Sequence, residues 1–406
     1  MSALRILYIS AYWPRIQPLC GGEWRALGIG RALQKLGSVE TIVVRSDANQ
    51  EARANKTING LNVVRCIEPQ RRFRKGLRGK VRWAVDPYIP YPLGCGVDAD
   101  ASAFVSQKIR DSDLVWFCNF RTPYMFKNWI WPKSVLDIDD LPSCFEKSML
   151  PAATGFRDSM ARMMQVYSWR RRERTLGERF TVLATCSESD EAYLRQIGCR
   201  GRVHVIPNGF DQPTGEPVRK PATPPRIGFV GPFAHPPNLE GIRWFVKECW
   251  PLIKQQVPDV RLRIVGKGSE GELKPPGCDI DGLGWVSDLE GEVATWSLMV
   301  VPIRSGAGTR VKLAQALSLK CPVVSTSYGA YGYNAENRSC MLLADSPDAF
   351  AKGCISVVAS PVQARAMADR GWQQFLKNWT WDAIAPRVWA AAEECLRKSR
   401  TLSSKV

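Results

Sequence analysis

Short unbroken apolar runs alternate along this 406-residue chain with longer stretches whose apolar residues recur every three or four positions. The runs have strand length, and the periodic stretches read as amphipathic helices. Arg5–Ser10, Val39–Val44, Leu114–Phe117, Val135–Asp137, Thr181–Cys186 and Val203–Ile206 are predicted strands, with Asn59–Cys66 as an edge strand. Helices are expected from Gly21 to about Leu36, over Asp98–Arg110 and over Phe156–Arg179. In the last of these, Met163, Val166, Trp169 and Leu176 form the core face and the arginines a solvated one. The βαβ order at the start predicts a parallel sheet.

The rhythm breaks at Gln212–Pro225, which holds five prolines and no apolar periodicity and reads as a linker. It then restarts with strands at Arg226–Val230, Arg261–Val265, Ile280–Leu283, Leu298–Pro302, Pro322–Thr326 and Cys340–Leu343. A helix capped by Asn238 follows the first of them, and helices over Asp348–Val358, Pro361–Phe375 and Trp381–Lys398 close the chain. The predicted fold class is α/β. Two Rossmann-like domains, residues 1–211 and 226–380, are expected to face a cleft, the default place for a ligand.

Leu298–Thr326 carries the sharpest chemistry. Ser305-Gly306-Ala307-Gly308-Thr309 joins a strand to a helix over Arg310–Leu319. Helix-start N–H groups converge there, and glycines let a phosphate approach the backbone. Arg310 and Lys312 oppose the helix dipole, so stability does not explain them, whereas a polyphosphate would offset both. Gly21-Gly22 opens the first helix in the same way but is weaker evidence, since tight turns need glycine anyway.

Composition narrows the class. Hydrophobic content of 45% with 23% charged residues is that of a soluble globular protein, and no apolar run approaches the roughly 18 residues of a membrane span. The first ten residues read as the start of a strand, not a secretory leader. Thirteen cysteines without a C-x-x-C pair point to reduced thiols in the cytoplasm, not to disulfides or zinc. The net charge of +17 favours an anionic partner. Arg71–Trp83 concentrates that charge, with seven bases in thirteen residues and Phe73, Leu77 and Val81 at a spacing of four. That is the pattern of an interfacial helix on an anionic membrane, with a solvated basic loop as the alternative. Asp137, Asp139 and Asp140 cluster at the carboxyl end of a strand, where open α/β sheets bind ligands. Of the two histidines, His204 reads as structural and His235 lies in a loop near the expected phosphates.

Taken together, HVIPNGFD (204–211), FVGPFAHPPNLEGIRWF (229–245), GWVSDL (284–289), the 301–326 segment and LLAD (342–345) resemble glycosyltransferase family 4, which has the two-Rossmann GT-B fold. Bacterial transferases of exopolysaccharide assembly are the most similar members. The resemblance implies retaining, metal-independent transfer from a nucleotide-diphospho-sugar to a saccharide or polyprenyl-linked acceptor. No cofactor is implied. Trp285 and Val286 would lie beside the base. Gly306, Gly308 and Thr309, with Arg310 and Lys312, would hold the diphosphate, and Gly21-Gly22 would lie beneath the donor. The last helix, about 381–398, would cross back to the first domain.

Departures accompany the match. The two hallmark glutamates fall here on Ala307 and Gln315, and Gln315 keeps a carbonyl acceptor for the ribose. The position of a frequent catalytic histidine falls on Asp139, and a common phosphate lysine has no counterpart near Asn238. Three rival readings are a catalytically silent nucleotide-sugar binder, a metal-dependent transferase using Asp137 and Asp139, and a nucleic-acid binder. The ordered motifs argue against the last.

Overall fold

Parallel pairing of apolar strands accounts for both halves of the chain. The computed structural model describes residues 4–15, 18, 20–45, 56–71, 77–87, 95–126, 128–272, 279–333 and 339–403. They form two units: Met1–Pro207 with Ile384–Val406, and Asn208–Ala383.

The first unit contains β1 (Leu4–Ser10), α1 (Gly21–Gln34), β2 (Gly37–Val44), β3 (Lys56–Ile58), β4 (Leu61–Ile67), β5 (Gln70–Arg71), α2 (Leu77–Val85), β6 (Cys95–Gly96), α3 (Ala99–Asp111), β7 (Leu114–Cys118), β8 (Trp131–Asp137), α4 (Pro142–Ser148), α5 (Phe156–Arg174), α6 (Leu176–Arg179), β9 (Phe180–Thr185), α7 (Glu188–Gln196) and β10 (Val203–Val205). Its main sheet runs β10-β9-β8-β7-β1-β2-β4-β3, parallel except for the last pair. Strand β1 lies between β2 and β7, so the winding reverses direction beside it. The core between sheet and helices includes Ile9, Phe117, Leu136, Trp169 and Leu183.

The second unit contains β11 (Arg226–Val230), α8 (Pro236–Trp244), α9 (Trp250–Gln256), β12 (Arg261–Val265), α10 (Ser269–Glu272), β13 (Ile280–Gly284), α11 (Leu289–Ala294), β14 (Leu298–Val301), α12 (Val311–Ser318), β15 (Val323–Ser325), β16 (Leu342–Leu343), α13 (Pro347–Ala359) and α14 (Pro361–Asn378). Helix α15 (Trp381–Ser403) spans the return to the first unit at Ile384. The sheet order β13-β12-β11-β14-β15-β16 is the doubly wound 3-2-1-4-5-6 order, with its switch between β11 and β14. On α15, Trp389 Nε1 donates to Ala32 O at 2.9 Å, and Glu394 Oε2 is 2.6 Å from His204 Nε2, giving that histidine a structural partner.

Several expectations are corrected. The predicted edge strand at 59–66 is a hairpin, because Asn59 (φ 50°) and Gly60 (φ 87°) make a tight turn between β3 and β4. The 156–179 helix breaks after Arg174. Trp169 and Leu176 are buried as expected, but Met163 is 56% exposed. The arginines are not all solvated. Arg172 is buried over the Trp83 ring at 4.3 Å and donates to Trp83 O and Asp86 O at 2.8 and 3.0 Å. Arg179 is buried 4.0 Å above the Trp129 ring. Aromatic faces and backbone carbonyls replace water around both guanidiniums.

The basic stretch Arg71–Trp83 does not form one helix. Arg71 ends β5, Phe73 lies outside the described residues, and the helix starts at Leu77. Trp83 turns inward and meets Trp169 edge-on at 5.6 Å, so it is not part of an outward stripe. The proline-rich 212–225 stretch is strapped along the second unit. The N–H groups of Lys220 and Ala222 donate to Ala294 O and Thr295 O at 2.9 and 2.8 Å, and Glu216 pairs with Lys320 at 2.5 Å. Among the described residues, no helix is long and apolar enough to cross a membrane.

Candidate functional site

The loops at the switch point of the second sheet bring the sequence-predicted cations together. After β14 the chain enters a loop whose Gly306 (φ 110°) and Gly308 (φ 70°) occupy backbone conformations that favour glycine. It ends at Arg310, the N-cap of α12, where no side chain caps the helix. The Arg310 guanidinium turns back on the loop and donates to Ala307 O at 2.6 Å and Ser305 O at 3.1 Å. From the segment after β15, Tyr328 Oη donates to Gly306 O at 2.6 Å, its ring 5.7 Å from the guanidinium, and Tyr333 Oη donates to Arg310 O at 3.2 Å. Arg310 is therefore both a loop brace and a buried positive charge.

Lys312, half-buried in the first turn of α12, reaches the loop that follows β11. Its Nζ donates to Asn238 Oδ1 at 2.7 Å and lies 4.4 Å above the Phe229 ring. Asn238 Nδ2 in turn donates to Pro232 O at 2.9 Å. Asn238 is thus not the helix cap: α8 begins at Pro236 with His235 at the cap position, which leaves the buried amide to position Lys312. Burial, reinforced by Arg310, pushes the Lys312 pKa down to about 7. Burial and then the Lys312 and Arg310 charges push His235 down to about 4, so its imidazole is neutral at neutral pH. Two cations held close beside a glycine loop and a helix start make a pocket suited to an anion.

The other predicted donor residues lie along the same carboxyl edge. Thr309 is buried beside Arg310, and Gln315 is half-buried one turn after Lys312. Trp285, 55% exposed, and Val286 follow β13, two strands from the switch point. Asn238, Tyr328 and Tyr333 are the supports that sequence reading missed. Only the recurrence of tyrosine in the glycine-containing Tyr328–Tyr333 turn hinted at a role for that segment.

The first sheet repeats the arrangement between β1 and β7. Gly22, in the first turn of α1, lies under the Tyr12 ring: a Cβ there would stand 2.2 Å from Tyr12 Cζ. Asn119 Nδ2 donates to Tyr12 Oη at 3.2 Å. Asn119 (φ 83°) and Asp139 (φ 60°) both hold left-handed backbone at the ends of neighbouring strands, a local strain typical of functional edges. Asp139 is buried, with its Oδ1 3.8 Å from Arg25 Nε. Gly21 and Gly22 thus share one edge with Asp139, and Tyr12 and Asn119 are further residues of this edge that sequence reading missed.

Asp137 has a different task. Arg25 Nε donates to both its carboxylate oxygens at 3.0 Å, and Nη2 to Oδ1 at 2.6 Å, while Nη1 holds Ile206 O at 2.8 Å. Burial works against the guanidinium charge, but Asp137, with help from Asp139, raises its pKa overall. A carboxylate engaged in this way is a poor metal ligand, which removes the basis for an Asp137–Asp139 cation site. Ligand atoms of Asp139, Asp140 and Cys186 do lie within 4.8 Å of one another. However, burial pushes the Cys186 thiol well up, and it donates to Asp139 O at 3.0 Å, so it is not a thiolate ligand.

Comparison with known proteins agrees with this geometry. Residues 224–360 match the family described as Glycosyl transferases group 1. An uncharacterized 44.6 kDa protein in the cps region of Klebsiella pneumoniae is 28% identical over 138 residues, 32% of this chain and 36% of that protein. The chain thus matches about a third of that curated relative's length. Sucrose-phosphate synthase from Thermosynechococcus elongatus superimposes with a TM-score of 0.69 at 16% identity, covering 99% of this chain and 100% of its own. WaaG, a glycosyltransferase involved in lipopolysaccharide biosynthesis, gives 0.61 at 12% identity over 95% and 99%. Anabaena HepE, solved in complex with UDP and glucose, gives 0.61 at 14% over 99% and 100%. At such identities the likeness is one of fold, and the fold is GT-B.

Proposed function

From the match of residues 224–360 to the glycosyl transferases group 1 family we propose that the chain moves a sugar, with retention, from a nucleotide-diphospho-sugar to a saccharide or polyprenyl-linked acceptor. The observation that carries this reading is the convergence of Arg310, Lys312, Asn238 and the Gly306–Thr309 loop at the switch point of a 3-2-1-4-5-6 sheet. Breaking the bond between the sugar's anomeric carbon and the phosphate leaves negative charge on the diphosphate. Fixed cations and helix-start amides in a partly dry pocket stabilise that charge as it forms. Arg310 and Lys312 act electrostatically, and Gly306, Gly308 and Thr309 bring backbone to the phosphates. In the first unit, Gly21, Gly22 and Asp139 serve the sugar and the acceptor. Trp285 and Val286 flank the base, and Gln315 accepts from the ribose. His235, being neutral, offers a hydrogen bond to phosphate and not a charge.

The pathway is bacterial polysaccharide assembly, a reading supported by the cps-region relative and by the stated roles of WaaG. The enzyme works in the cytoplasm, against the inner face of the cell membrane where lipid-linked acceptors reside. A second reading, a silent nucleotide-sugar binder, draws on Ala307 and Gln315 standing where the family has glutamates. A donor panel with product mass spectrometry decides. Sugar transfer or donor hydrolysis supports the enzyme, and nucleotide binding without turnover of any donor supports the binder. Arg310→Ala and Lys312→Ala are each expected to cut turnover at least tenfold, as expected for removing a charge contact to the developing anion.

A further inference from the structure

Helix α5 buries Ser168, Trp169, Arg172 and Glu173 on one side. On another it exposes Phe156 (81%), Met160, Met163, Met164 and Tyr167 (the last four between 43% and 56%). At 3.6 residues per turn these five fall within an arc of about 100°. The same arc continues through Arg171 and Arg174 in the last two turns, with Arg170 at its margin. The Arg171 guanidinium lies 5.7 Å over the Tyr167 ring. Helix α2 packs against α5 through Trp83 and Trp169 and carries exposed Val81 and Val85 on the side away from that contact. The one acidic residue in the first turn of α5, Asp158, is paired with Arg162 at 3.4 Å.

Five large apolar side chains gathered on one exposed helix face are uncommon on a monomer. Methionine and aromatic residues continued by arginines on one face make an in-plane interfacial helix. The apolar end enters the acyl boundary while the guanidiniums meet phosphate headgroups. We propose that this α5 face docks the first unit onto an anionic lipid surface. Charge chooses the occupant. The arginines lie on the apolar face itself, and the whole chain carries +17. A second copy of the chain would bring its own arginines to the same contact. The proposal relocates the membrane contact from the predicted 71–83 helix, whose Trp83 is buried, and it is independent of the donor chemistry.

Vesicle flotation of the full chain tests it. Wild type is expected to bind phosphatidylglycerol-containing vesicles at least tenfold more tightly than pure phosphatidylcholine vesicles, and less tightly as salt rises. Phe156→Asp/Met163→Asp and Arg170→Glu/Arg174→Glu should each lose about tenfold or more, with thermal midpoint and nucleotide binding unchanged. The Phe156→Trp minus wild-type emission difference should shift to the blue on anionic vesicles, since the chain already holds fifteen tryptophans, a readout that survives if a double variant folds poorly. Equal binding to both lipids, undiminished binding by both double variants, or no blue shift overturns the proposal. A dimer in sedimentation velocity that Phe156→Asp/Met163→Asp dissolves, without vesicle binding by wild type, also overturns it in favour of self-association.

Discussion

Lys312 offers the most quantitative test of the anion pocket. Burial beside Arg310 holds its ammonium near a pKa of about 7, so it is about half charged at pH 7 and about one-tenth charged at pH 8. A diphosphate brought next to it favours the charged form, so binding must recruit a proton. If the bound pKa exceeds about 9, the apparent Kd for a nucleoside diphosphate rises about twofold above its low-pH limit at pH 7 and about tenfold at pH 8. A terminal phosphate with a second pKa of about 6 is already deprotonated across this window. His235, with a pKa of about 4, stays neutral throughout. Isothermal titration with UDP and with GDP, in two buffers of different ionisation enthalpy, should show about 0.9 proton taken up per binding event at pH 8 for the nucleotide that binds. Lys312→Met should flatten both the pH dependence and the uptake. The same group sets a stability trend. Between pH 7 and 10.5 the unfolded chain holds a proton that the native lysine has released, so its contribution to stability rises with pH across that window. An unchanged wild-type Kd between pH 7.5 and 9, with no proton uptake, refutes the reasoning.

Three further outcomes are expected. Gly306→Ala forces a Cβ to 3.0 Å from the Arg310 guanidinium at φ 110°, so nucleotide affinity should fall at least tenfold and thermal stability should drop by about 1–3 kcal/mol of backbone strain. Arg25→Met strands the buried Asp137 carboxylate and should destabilise the first unit by about 3–5 kcal/mol in thermal unfolding, with Arg25→Met/Asp137→Leu recovering much of the loss. Turnover should be the same with and without EDTA, because Asp137 is engaged by Arg25 and the Cys186 thiol is protonated; loss of activity in EDTA would reopen the question of a metal.

The βα rhythm was legible because buried parallel strands such as Leu298–Val301 are apolar throughout and bounded by glycine or proline. The Gly306–Thr309 loop was legible because its glycines and its unfavourably placed cations are local signals. What failed was what depends on distant partners. Asn238 fits a cap by sequence, but Lys312, 74 positions away, takes its side chain. Arg172 and Arg179 look like solvated charge until Trp83 and Trp129 are folded over them. Met163 has the spacing of a core residue, yet the helix faces the sheet with a different stripe. Asn59-Gly60 is a hairpin signal, but the strand before it, Lys56–Ile58, is only three residues long and carries no apolar pattern of its own.

The brace from Arg25 to Asp137 and Ile206 also dictates an order of assembly. During synthesis, Arg25 waits for a carbonyl 181 positions downstream, about 10–40 s at ribosomal speed. Ala32 waits still longer for Trp389, 357 positions away. The sheet closes at β10, but the unit begun first is finished last, when α15 returns after the whole intervening Rossmann unit has left the ribosome. Through that interval Ala32 and His204 lack their partners on α15, and the first unit is the part of this chain for which a chaperone matters most.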